Sequence, residues 1–183
     1  MQYAKNEVEK ALRQMQGDFA AFMARQYAPP RDYPRHYEIA RGDYFENGEY
    51  IVDAACFERL QGYLHSTKYA VDGGEYAKIE FESVSDYAAM HFLYYAMQYF
   101  ATMIFDVEKG GEPLLEYFEC DFMAQCFDFL KNEKHFADNK ARLYLTLAHG
   151  FFDNLIESFS KFPLLKKGNA IFVLDALQGD KNV

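Results

Sequence analysis

The amino-acid sequence predicts a mainly α-helical chain, a single domain of about five helices packed around one core, with a minor β element near residues 44–82. Three observations carry this. Apolar residues recur at three- and four-residue steps through residues 4–27 and again through 138–161, the spacing of one buried helical face. From Tyr87 to Phe105 no residue is charged, as a helix enclosed by its neighbours requires. Strict apolar/polar alternation occupies only a short segment, "YAKIEFE".

In chain order, residues 4–27 form an amphipathic helix with Val8, Leu12, Met15, Phe19, Phe22 and Met23 inward, ended by "APP" at 28–30. Residues 31–50 lack a sustained period. Pro34, Gly42 and "ENG" mark turns, so an ordered loop with a hairpin is expected there. Asp53 is placed to cap a helix over 54–66. "VDGG" then breaks the chain. In "YAKIEFE", Ala77, Ile79 and Phe81 alternate with Lys78, Glu80 and Glu82, the pattern of a half-buried strand. Ser83 or Ser85 caps the uncharged helix, which runs to about 107. Pro113 suits the first turn of a helix reaching about 131, and "NEKHFADN" connects it to the last long helix, 138–161, with Leu145, Ala148, Phe152, Leu155 and Phe159 as its inner stripe. Pro163, a short apolar "AIFVLDAL" and a loose tail over 178–183 follow.

Half of the 183 residues are hydrophobic, enough for a substantial core, and 18% are aromatic: 18 Phe, 15 Tyr and no Trp. The net charge is −9, which opposes direct binding to a phosphate backbone and permits a basic protein partner. Cys56, Cys120 and Cys126 form neither a disulfide framework nor a CxxC pair, and Cys120 and Cys126 are expected as buried small residues. The start, "MQYAKNEVEK", is too charged for the apolar core of a signal peptide. Four tyrosines, His91 and Gln98 make Tyr87–Phe105 a buried central helix rather than a membrane span. A cytoplasmic bacterial protein without membrane contact is expected; its oligomeric state is not legible.

Few motifs carry chemistry. Arg142 and His149 in "RLYLTLAH" stand seven residues apart, so a helix puts them on nearly one face. In a metal-independent ribonuclease, histidine would move protons while arginine stabilised the developing phosphorane charge. The pair resembles the Arg-x(4–6)-His signature of the HEPN superfamily of all-α dimeric ribonucleases, although Leu143 and Tyr144 follow the arginine where family members often carry a polar residue. Arg59/His65 and Arg31/His36 fit the same loose window, and Pro34 removes the latter from any helix. Arg142 and His149 are therefore read as residues bordering a packed helix, with catalysis held in reserve. The five histidines form no HExxH or HxH group, no Glu-x-x-His accompanies Glu116, Glu119 and Asp121, and nucleotide-binding and nucleophile-elbow motifs are absent. No metal or cofactor is expected, and His91 is read as a hydrogen-bonded core histidine.

The acidic residues are unevenly spread. Residues 31–86 hold twelve Asp/Glu against six Lys/Arg. Within this stretch Asp32, Tyr33, Tyr37, Glu38, Asp43, Tyr44, Glu46 and Glu49 mix carboxylates with rigid aromatics, and Glu112, Glu116 and Glu119 offer a second acidic face. Aromatics supply contact area and carboxylates pair with a partner's Lys or Arg. In size, charge and tyrosine content the chain resembles bacterial immunity proteins, the small acidic inhibitors of polymorphic nuclease toxins. That resemblance implies a non-enzymatic binder covering the cationic groove of a cognate toxin or nuclease. A phage-type inhibitor of a defence nuclease, a HEPN-like ribonuclease and a plain helical scaffold are the alternatives.

Overall fold

The computed structural model describes residues 3–26, 61–105 and 111–161. They form five helices and a two-stranded antiparallel sheet, the mainly helical architecture that the hydrophobic periods predict. The loop at 31–50, the start of the helix predicted over 54–66, Cys56 and everything from Pro163 onward lie outside the described residues.

Helix α1 (Lys5–Gln26) buries Val8, Leu12, Met15, Phe19, Phe22 and Met23, the row expected from their spacing. Residues 61–66 (α2) are helical, and the hydroxyls of Ser66 and Thr67 donate to the Tyr63 carbonyl at 2.9 and 3.0 Å where the helix stops. The chain then enters β1 (Lys68–Ala70), turns, and returns as β2 (Tyr76–Lys78), with Tyr69 opposite Ala77. "VDGG" is thus the turn of a hairpin. Gly73 and Gly74 both take positive φ, 86° and 79°, where a side chain would be strained. The alternation of 77–82 holds in burial, yet paired strand ends at Lys78, since β1 has only three residues to offer.

Helix α3 (Val84–Phe105) is the centre of the molecule. It packs against α1 and against α5 (Asp138–Lys161), and every side chain from Asp86 to Gln98 is buried. Its lack of charge is accounted for by protein on all sides. No helix among the described residues is long and apolar enough to cross a membrane. Ser83 caps it by accepting the Asp86 N–H at 3.1 Å. The Asp86 carboxylate, 8% exposed, receives the Lys140 ammonium of α5 at 2.7 Å, and that ammonium also lies 4.3 Å from the centre of the Phe136 ring. Asp86→Ala should lower the free energy of unfolding by about 1–3 kcal/mol in urea titration, because it strands a half-buried ammonium.

Helix α4 spans 111–133 and is composite. Two α-helical stretches, Gly111–Tyr117 and Met123–Asp128, alternate with two π-helical turns, Phe118–Phe122 and Phe129–Glu133. Leu114, Phe118, Phe122, Cys126 and Leu130 form an unbroken four-residue repeat, and all are buried. In a regular α-helix each such step would drift by roughly 40° around the axis. Each wider π turn takes up an extra residue and brings the row back toward the core. The helix stops where His135 adopts a left-handed φ of 58° and the Phe136 N–H reaches the Leu130 carbonyl at 2.9 Å. Lys134 to Asp18 (2.5 Å) and Arg25 to Glu133 (2.6 Å) tie this end to α1.

Candidate functional site

The acidic face of α4 is the one predicted partner surface that falls among the described residues. Glu116 and Glu119 are exposed, and Leu115 beside them is 37% exposed, unusual for a large apolar side chain among the described residues; Asp121 is exposed on a different side of the helix. Leu115 and Glu119 are four residues apart and Glu116 and Glu119 three, spacings that place helical side chains side by side. Glu112 lies on the same helix. Cys120, expected as a buried residue, is exposed, because it stands off the buried four-residue row; Cys126 stands on that row, and burial pushes its thiol pKa up. Asp32, Tyr33, Tyr37, Glu38, Asp43, Tyr44, Glu46 and Glu49 lie outside the described residues.

Helix α5 brings two further side chains to this face. His149 directs Nε2 at both carboxylate oxygens of Glu119, 3.1 Å each, and Nδ1 at Asp153 Oδ2, also 3.1 Å. Its ring lies nearly parallel to Phe118 at 6.0 Å, in the first π turn, and tilts against Phe152 at 5.8 Å. The sequence had shown His149 and the acidic face as separate features; the fold joins them and adds Asp153. Glu157, one turn further along α5, is exposed and held below the usual carboxylate range by a hydrogen bond from Lys161.

Arg142 takes a different environment. Its guanidinium carbon lies 5.0 Å from the centre of the Phe127 ring, in the α-helical stretch after the first π turn. Seven residues separate it from His149, about 10 Å along the helix axis. The helical face is shared, as predicted, yet one residue stacks on an aromatic ring and the other bridges two carboxylates. Among the described residues no group of three His, Cys, Asp or Glu side chains is arranged to hold a metal ion.

The interior histidine is separate from this surface. His91 is fully buried on α3, stacked on Tyr95 at 5.8 Å and edge-on to Tyr87 at 6.0 Å. Loss of hydration drives its pKa down to about 3, so the ring is neutral at ordinary pH.

The chain matches no protein-family model, and neither a curated protein nor a solved structure matches it.

Proposed function

We propose that the chain is a non-enzymatic protein-binding inhibitor, an immunity-type protein that neutralises a basic, nuclease-type partner through its acidic surface. The observation that supports this most is the ledge formed by Glu116 and Glu119 of α4, with Leu115 exposed beside them and Asp153 of α5 linked to Glu119 through His149. An apolar anchor within a polar, charged rim is the common anatomy of a protein interface. The net charge of −9 would steer a cationic partner toward such a ledge. Seated over the partner's substrate groove, the ledge and the acidic, tyrosine-rich segment from Asp32 to Tyr50 would block entry of RNA or DNA.

The partner to test is the product of the adjacent gene, purified and titrated calorimetrically. Binding should weaken steeply with added salt. Combined Glu116→Lys, Glu119→Lys and Asp153→Lys substitutions should weaken it by about tenfold or more, with the circular dichroism spectrum unchanged. A second set, Asp43→Lys, Glu46→Lys and Glu49→Lys, reads the contribution of the other acidic segment. Binding indifferent to salt and to both sets of reversals would refute the proposal, as would no binding at all.

A further inference from the structure

We infer that His149 is a proton-sensitive clip between the first π turn of α4 and α5, holding Glu119 and Asp153 together only while its ring is doubly protonated. The inference follows from hydrogen-bonding stoichiometry. Both ring nitrogens lie 3.1 Å from carboxylate oxygens, Nε2 on Glu119 and Nδ1 on Asp153. An imidazolium has two N–H donors and satisfies both carboxylates. A neutral imidazole has one donor and one lone pair, so it keeps one carboxylate and repels the other. The arrangement is therefore complete only with the ring doubly protonated.

The position of the clip gives the proton a structural consequence. Glu119 belongs to the π turn Phe118–Phe122, and Asp153 and His149 belong to α5. Glu119 and Asp153 are the charged side chains in contact with the ring among the described residues; its other neighbours, Phe118 and Phe152, are uncharged. A π turn is a rare and poorly propagating form of helix, so a side-chain tie across to a neighbouring helix supports it from outside. With the proton on, both carboxylates are held and one negative charge is neutralised. With the proton off, one carboxylate is released to solvent. The effect on a partner rests on the acidic-ledge reading, while the clip itself does not and is testable in the isolated chain.

Two double-mutant cycles in the full-length protein provide the test, one pairing His149→Gln with Glu119→Gln, the other pairing it with Asp153→Asn. Unfolding in urea at low salt is followed at about pH 5 and at about pH 8. At the lower pH each pair should raise the folding equilibrium constant by about two- to fivefold, the range of exposed ion pairs. At the higher pH at most one of the two couplings should persist. Either coupling missing at the lower pH, or both persisting at the higher, overturns the clip. Because no partner is present, this result is independent of whether the ledge binds a basic protein.

Discussion

Phe19→Ala is expected to lower the free energy of unfolding by about 3–5 kcal/mol, read as a drop in the urea midpoint with an unchanged slope. Phe19 is 1% exposed and among the described residues touches three other rings: Phe92 of α3 at 5.2 Å, and Phe122 and Phe129 of the composite α4 at 6.1 and 5.1 Å, the latter two edge-on. It is the point where α1 meets both the central helix and the π turns. Truncation removes the transfer energy of a phenyl ring and leaves a cavity walled by other rings that are themselves held in place. Phe92, Phe122 and Phe129 come from two different helices, so no single side chain can swing in to fill the space. A loss of this size is a large part of the roughly 5–15 kcal/mol that holds an ordinary domain together. Phe22→Ala, one turn on and 5.5 Å from Phe129, should follow the same pattern. A cost under about 1 kcal/mol for Phe19→Ala would mean that α1 is not docked on α3 and α4 as described.

The long helices were legible because one face of each is buried over many turns. The six inward residues of α1, the inner stripe of α5 and the bounds of α5 at 138 and 161 follow from the three- and four-residue spacing alone. Ser83 as the cap of α3 and the alternation of 77–82 were equally local signals. Strand β1 was not legible: "KYA" is too short to show a period, and it becomes a strand only because Gly73 and Gly74 turn the chain back onto it. The π turns were not legible. Leu114, Phe118, Phe122, Cys126 and Leu130 repeat by fours, but so do Ala88, Phe92, Ala96, Phe100 and Ile104 of α3, which are buried in a regular α-helix.

The surface was read less well than the core, for a related reason. Spacing reveals partners on one helix but not across helices. His149 and Asp153 are four residues apart, within reach of a sequence argument, whereas Glu119 stands thirty residues before His149 and meets it only through the packing of α4 on α5. The same packing sends Arg142 to Phe127. "RLYLTLAH" thus held one face, as its spacing implied, but its two polar ends serve different neighbours.

Acid should destabilise the protein through His91. The unfolded chain carries this ring at its ordinary pKa of 6.5, while burial in the fold lowers it to about 3. Below pH 6.5 the unfolded state therefore binds a proton that the folded state refuses. The contribution of neutral His91 is fully present above that pH, falls by about 1.4 kcal/mol for each unit of acidification, and is exhausted near the folded value. Lowering the pH from 6.5 to about 4.5 should thus cost on the order of 2–3 kcal/mol from this residue alone. Carboxylates titrate across part of the same range, so the wild-type curve does not isolate the effect; comparison with His91→Phe does. Phenylalanine retains a flat ring against Tyr95 and Tyr87 and has no proton to gain. Urea unfolding at a series of pH values should show the variant gaining on the wild type steadily as the solution is acidified from neutrality, whatever its stability at pH 7. Parallel curves for the two proteins would mean that His91 accepts a proton within the fold and that the centre of α3 is open to water.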